Sequence, residues 1–458
     1  MIMSSDSSAI FHRSLTKEYD VASGGAGVYL VQPDGTRTLD GSSGAAVSCL
    51  GHGHTVVIEA IVEQARKLAF AHSSFFTSDP AEELAHFLIE QSAREFSKVM
   101  FLSSGSALSR ACTNENTYLL DHPGSEAVES AIKIARQYHV SRGQPQRVNF
   151  ICREYAYHGN TLGALSAGFN PPRRQTFEPL LSPAFHHVSP CFFSRDAKEG
   201  EVEDAYVDRL IEEYEEMFAT LGGSSVAAVL IEPISGATLG SVPAARGYLA
   251  RLRELCDKHG ALLIFDEVMC GMGRAGTLHA WQSLGGVAPD IQTIGKGLGA
   301  GYQPISAILV NPRVHRLMQE SQSKHPFISG HTYQGHSIGC AAALATQKTL
   351  VKDDLLNNVK SMGEILVREL SNRVPMLKEV RGVGLFQTVE FATEPNRRIA
   401  ADVAKVCFSN GAAVYLCSPA TDSIMFAPPF IIKEAEVEEL VQIFVTSVKE
   451  VLQEKGME

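Results

Sequence analysis

ALLIFDEVMCGMGRAG (residues 261–276) and IQTIGKGLGAGYQPISA (residues 291–307) decide how this chain is read. Ala261 to Phe265 is a short continuous apolar run closed by two acids, which predicts a strand buried on both faces of a parallel sheet. Ile291 to Ile294 predicts the next strand, closed by glycine. In open α/β sheets ligands collect at the carboxyl ends of the strands. Asp266 and Lys296 therefore stand at two such ends. A structural ion pair would also account for them, because a buried charge is costly without a partner. Gly295, Gly297, Gly299 and Gly301 favour a site instead, since backbone without side chains leaves room beside the amine. The spacing is not that of a P-loop, whose lysine closes a Gly-x-x-x-x-Gly spacer and precedes Ser or Thr. Nor does Gly-x-Gly-x-Gly have the dinucleotide spacing. An amine nucleophile suits an aldehyde cofactor, and pyridoxal phosphate also needs a carboxylate at its ring nitrogen.

Asp-Glu-Val at 266–268, Gly-Met-Gly-Arg at 271–274 and Gly-Lys-Gly at 295–297 resemble the signature of class III pyridoxal-phosphate aminotransferases. The resemblance runs from about Glu18 to the C-terminal helix. It implies fold type I: an α/β large domain with a seven-stranded, mostly parallel sheet, and a small α/β domain built from both termini. By position it implies that Lys296 is the Schiff-base lysine and that Asp266 keeps the pyridine nitrogen protonated. Val268 would pack on one ring face and Tyr157 on the other, with His158 as a polar neighbour. Thr332, in Gly330-His331-Thr332-Tyr333, would reach the phosphate of the neighbouring subunit, so a homodimer with a shared active site is expected. Glu232 would stand near the substrate.

Bulk properties agree with a soluble enzyme. At 458 residues two domains are expected. The domain reading is 1–60 for the N-terminal part of the small domain, 61–335 for the cofactor domain and 336–458 for the remainder. A net charge of −11 without a basic patch argues against nucleic acid and anionic membranes as partners. No apolar run reaches membrane-spanning length. Nine scattered cysteines without a Cys-x-x-Cys pair point to reduced thiols in the cytoplasm, and the N-terminus leaves only slight room for a mitochondrial signal.

In order, residues 18 to 50 predict a β-rich opening. Val56 to Leu68 and Asp79 to Ile89 predict helices, the latter with Asp79 as N-cap. His52 and His54, two residues apart, read as a turn in preference to a metal site. Val99–Leu102, Val148–Cys152, Val226–Ile231 and Pro304–Val310 predict further strands. Asp196 to Phe218 reads as a solvated helix, and helices follow Ile338 and begin near Glu434.

The phosphate loop departs from the family pattern. Ser103-Ser104-Gly105-Ser106 follows a strand, and Gly124-Ser125-Glu126-Ala127 opens a helix whose N-terminal N–H groups suit a phosphate. In the resembling family the two pieces form one continuous loop, here interrupted by an anomalous region at 107–125. Ser104, Gly105, Ser106, Gly124 and Ser125 are all candidate phosphate ligands. Removing Gly105 through Pro123 (124 − 105 = 19 residues) restores the loop without a seam. A long aperiodic stretch is unexpected inside a compact domain. A retained intron, opening within the Gly105 codon and closing within the Gly124 codon, explains that phase. A functional surface loop is the competing explanation.

The expected activity is transamination between an amine or amino acid and a keto acid. Decarboxylation or aminomutation on the same fold, and a cofactor-poor dimerising pseudoenzyme, are the alternatives. Ornithine- and GABA-type relatives carry an arginine just ahead of Phe-x-Pro-Pro, a bidentate carboxylate clamp. Met425 holds that place here, and Tyr415 holds the place of the mobile arginine of amine transaminases. Both are taken as substrate-near. Arg173 and Arg174 are the candidates to compensate.

Overall fold

The computed structural model describes residues 2–3, 9–14, 16–103 and 124–457. Ser104, Gly105, Ser106 and the remainder of the interrupting segment through Pro123 lie outside the described residues.

Seven strands make the central sheet: β1 (Lys98–Leu102), β2 (Asn149–Arg153), β3 (Phe185–Val188), β4 (Val226–Ile231), β5 (Leu262–Asp266), β6 (Ile291–Ile294) and β7 (Ser306–Val310). Their spatial order is β1-β7-β6-β5-β4-β2-β3, and β7 alone runs antiparallel to its neighbours. The short apolar runs form the middle of this sheet because both faces are covered. Alternate residues of one strand enter different cores. Phe150, Cys152, Ala228, Leu230 and Ile264 join one cluster, whereas Ile151, Val229, Ile231, Leu263 and Phe265 join the other. The first cluster is capped by Ala127, Val128, Ala131, Ile134 and Tyr138 of the helix Ser125–Ser141. Tyr206, Leu210, Tyr214 and Phe218 of the helix Glu203–Leu221 cover the second, with Leu249 and Leu252 of Tyr248–His259.

The chain ends fold together. Three strands, Gly24–Ala26, Tyr29–Val31 and Arg37–Asp40, share a sheet with Ala412–Ala413. A second four-stranded sheet, Leu377–Val383, Phe386–Phe391, Ser423–Phe426 and Tyr415–Leu416, is formed by the C-terminal part of the chain. The helix Thr55–Lys67 runs unbroken across the expected domain edge at residue 60.

Local details depart from expectation at several points. Asp79 is the first helical residue, not the cap; Ser78 is the cap, and the Asp79 carboxylate bonds Lys67 Nζ at 2.9 Å. The acidic stretch becomes helical only at Glu203, after a single turn at Phe193–Asp196. His52 and His54 form a structural turn: His52 Nε2 lies 3.1 Å from Asp40 Oδ2, and His54 N donates to Tyr302 Oη at 2.7 Å. Among the described residues no cluster of His, Cys, Asp and Glu could hold a metal.

Candidate active site

Strand β6 ends at Ile294, Gly295 continues extended, and Lys296 then turns into a single 3-10 turn with φ of +43°. That left-handed value is rare for a residue with a side chain and signals backbone strain held by its surroundings. Lys296 is 3% exposed. Burial drives its amine down to about 7, against the opposing pull of Asp266 and Glu232. The neighbouring glycines do not supply the room that their spacing suggested. A Cβ on Gly299 would stand 2.5 Å from the Gln303 carbonyl oxygen, and one on Gly297 would meet Met272. These glycines let the loop close on itself, and of the stretch 295–301 only Lys296 lines the cavity.

The cavity lies beyond the carboxyl ends of β2, β4, β5 and β6, where the sheet order makes its crossover. Asp266, last residue of β5, is buried there. Its Oδ2 lies 2.8 Å from His158 Nδ1, and its Oδ1 accepts from Thr293 Oγ1 and the Val268 amide, each at 3.1 Å. The side chain that Asp266 Oδ2 contacts is therefore His158 and not Lys296. An ionised carboxylate has about four acceptor positions, so these contacts leave it room for one more donor. Glu267, next in sequence, faces the other way. It is fully buried and accepts from the Ala280 and Trp281 amides and from Gln292 Nε2, at 2.7–2.8 Å, although burial raises its carboxyl to about 7. Adjacent acids thus take different roles because successive strand residues point to opposite sides.

Glu232 follows β4. Among the described residues it makes no ion pair: Oε1 accepts from Gly236 N at 3.1 Å and Oε2 from Tyr157 N at 3.3 Å. Burial raises its carboxyl above the usual range. Tyr157, His158, Val268, Gly124 and Ser125 line the same cavity. Gly124 has φ of +129°, and a Cβ on it would come within 2.5 Å of Val268 Cγ1, so this approach admits only glycine. Likewise a Cβ on Gly159 would stand 2.5 Å from Ser125 Oγ, which itself accepts from Asn160 N at 2.9 Å. Across the interruption Ser103 Oγ donates to Glu126 Oε2 at 3.4 Å, so the chain resumes beside the point where it left.

Tyr415 is buried and lines the cavity, and burial raises its hydroxyl well above the ordinary value. Met425 does not reach it. Antiparallel register sets Met425 opposite Tyr415, and its side chain lies fully buried in the apolar cluster that includes Tyr415, Ala45 and Ala46. Thr332 is exposed and outside the cavity lining, on a surface with Tyr333, whose ring packs edge-on against Phe70 at 5.6 Å. Of the two candidate arginines only Arg173 lines the cavity. Sequence reasoning missed Asn170, Ala237, Thr238 and the segment Leu416–Pro419, which converge from three loops remote in sequence. The Ser418 amide fastens that last segment to the Ala237 carbonyl at 2.8 Å.

These residues fit pyridoxal phosphate on the chemistry of the donor set. A buried carboxylate with acceptor capacity meets a ring N–H, and a near-neutral buried amine meets an aldehyde. A helix N-terminus bared by Gly124 meets a phosphate. His158 Nε2, buried without a partner among the described residues, is a further polar atom awaiting one.

The model of the class III aminotransferase family matches residues 14–448. An uncharacterized aminotransferase of Schizosaccharomyces pombe is 39% identical over 433 residues, 91% of this chain and 89% of that one. The acetylornithine aminotransferase of Clostridium acetobutylicum is 33% identical over 432 residues, 93% and 95% of the two chains. Among solved structures, the omega transaminase of Pseudomonas jessenii in complex with PMP superposes with a TM-score of 0.87 at 29% identity, covering 96% of this chain and 94% of that one. An (S)-enantioselective omega-transaminase of Thermomicrobium roseum gives 0.85 at 34% identity, covering 95% and 94%. Family match, fold and cavity agree: the chain belongs to the class III aminotransferases, pyridoxal-phosphate enzymes of fold type I.

Proposed function

We propose that this transaminase moves its amino group through Lys296, with Asp266 as the residue that keeps the cofactor ring nitrogen protonated. The observation that carries the proposal is a buried amine held near pH 7 in the same cavity as a buried, hydrogen-bonded carboxylate. Pyridoxal phosphate, when bound, supplies the electron sink for the bond that breaks at the substrate carbon. At neutral pH a substantial fraction of Lys296 is the free base, so it can take the proton from that carbon and return it to a neighbouring one. His158, bonded to Oδ2 of Asp266, fixes the carboxylate's direction. Tyr157 and Val268 confine the ring between an aromatic and a branched aliphatic side chain. Ser125 and the N–H groups opening its helix hold the phosphate, and Ser104, Gly105 and Ser106 are further candidates by position. Glu232 orients the polar end of the substrate, and Tyr415 with Met425 behind it forms the wall opposite.

The working form in this proposal is a homodimer in which Thr332 completes the partner's phosphate site. Thr332 is exposed, and large apolar side chains near it are exposed too: Ile328 is 90% exposed and Tyr333 55%, and Tyr333 packs on Phe70, which leads through His72 to Phe75 at 79%. Exposed apolar side chains of that size support an interface at this face in the proposal. The division into a central cofactor domain and a small domain from both ends is supported by the shared sheet of Arg37–Asp40 and Ala412–Ala413. The proposal includes a cytoplasmic location, where thiols stay reduced, in keeping with the eight described cysteines, which are free and buried.

Borohydride reduction of the purified holoenzyme tests the central role. Peptide mass analysis is expected to find the pyridoxyl adduct on Lys296, and an adduct on another lysine would overturn the proposal.

A further inference from the structure

A transaminase must accept a keto acid, which is an anion, and the cavity is poor in groups to receive one. Among the described lining residues the acids are Glu232 and Asp266, and the basic side chains besides His158 are Lys296 and Arg173. Lys296 is committed to the reaction, which leaves one guanidinium. Arg173 and Arg174 adjoin on one short helix, Pro171–Arg174, and successive helical residues point about 100° apart. Arg174 turns into the fold: Nη1 donates to the Gly168 carbonyl at 2.7 Å, Nη2 pairs with Glu178 at 3.6 Å, and its guanidinium lies 4.7 Å from the Phe169 ring centroid. Arg173 turns to the cavity and lies over the Tyr157 ring, 4.6 Å from its centroid, which steadies it through the ring's negative face. It shares that lining with Lys296 and Tyr415, and its charge acts on the Tyr415 hydroxyl second to burial.

Two further polar atoms lie in the same lining. Thr238 Oγ1 (4% exposed residue) and Asn170 Oδ1 (7% exposed residue) are buried and have no hydrogen-bond partner among the described residues. Orphaned polar atoms buried in a cavity are costly unless something that binds there satisfies them. A threonine hydroxyl can donate to a carboxylate, and an arginine fork offers it two parallel bonds.

Resting on the transaminase reading above, we propose that Arg173 is the specificity-determining residue that grips the substrate carboxylate, with the Thr238 hydroxyl as a further donor. The enzyme then takes amino donors and keto acids that carry an acid group, by an arginine on the Tyr157 side of the cavity and not by one at position 415 or 425.

The test uses the holoenzyme and one half-reaction at a time, with donor alone, followed by the cofactor absorbance. β-Alanine, 4-aminobutyrate and 5-aminopentanoate are compared with unsubstituted amines of matching length. The wild type is expected to favour an acid-bearing donor at one or more lengths. Arg173→Gln should lose that preference by about 10–100-fold in kcat/KM for the acid while the plain amine changes little, the scale of a charge-assisted bond. Arg173→Lys should recover part of it, since charge survives but the fork does not. Glutarate binding by calorimetry needs no turnover and should weaken at least about tenfold in Arg173→Gln. Arg13, whose charge also reaches Tyr415, serves as the comparison, and Arg13→Gln should leave both readouts near wild type. An unchanged acid-to-amine ratio, equal glutarate affinity, or a loss that falls on Arg13→Gln overturns the assignment. Glutarate held through Arg173 by an enzyme that transfers no amino group would sink the transaminase reading and leave this one standing.

Discussion

Replacing Lys296 by methionine should stabilise the cofactor-free protein, which is the reverse of what loss of a functional residue usually suggests. The amine falls from 10.5 in the unfolded chain to about 7 in the fold, chiefly by burial. A difference of about 3.5 in pKa, at about 1.4 kcal/mol for each, amounts to about 4–5 kcal/mol. Between pH 7 and 10.5 the unfolded chain holds a proton that the folded chain has released, so stability rises with pH across that window. The full cost is present below pH 7 and gone above 10.5. Methionine has similar length and no charge to desolvate. Asp266 and Glu232 lose a counter-charge in the variant, which takes back part of the gain and leaves about 2–4 kcal/mol at pH 7. With about 2.1 cal/mol/K of unfolding entropy per residue over the 458 residues, 1 kcal/mol moves Tm by about 1 °C, so a rise of about 2–4 °C is expected. Calorimetric melting of both cofactor-free proteins at pH 7 and pH 10 measures it, and the difference between them removes every other titrating group. A variant that melts at or below the wild type at pH 7 would refute the reasoning. So would a gap that stays constant between the two pH values.

Thr332→Ala should weaken pyridoxal phosphate binding by about 1–3 kcal/mol, the scale of a hydrogen bond to a charged group. Mixed dimers of Thr332→Ala with Lys296→Ala should then contain one undamaged site per dimer, and a fully active monomer would end the shared-site proposal. The interruption of the phosphate loop gives a separate expectation. Because Ser103 bonds Glu126 directly, deleting Gly105–Pro123 joins two points that already adjoin. The shortened chain should bind the cofactor at least as tightly, by fluorescence titration, and loss of binding would make the segment part of the site. A mature transcript that always retains these codons would exclude an intron while leaving the binding experiment to decide the physics.

Much of this protein was legible as sequence because its signals are local. VAAVLI at 226–231 and LLIF at 262–265 became the strands that their apolar runs predict, since a strand buried on both faces needs nothing but apolar residues in a row. That Asp266 and Lys296 would share one cavity was legible because a charge ending such a run lies at the carboxyl end of its strand, where parallel sheets bind ligands. Tertiary structure decided what depends on direction and on distant loops. Asp266 and Glu267 are equivalent in sequence, yet alternation along the strand sends one to the cavity and the other to the Ala280 amide. Tyr415 and Met425 were both expected beside the substrate, and only antiparallel register shows that Met425 lies behind the wall. Arg173 and Arg174 were equal candidates until the helical turn gave one to the cavity and the other to Gly168. Thr238 and Asn170 carried no signal at all, because an orphaned hydroxyl or amide exists only once folding has removed the water that would have satisfied it.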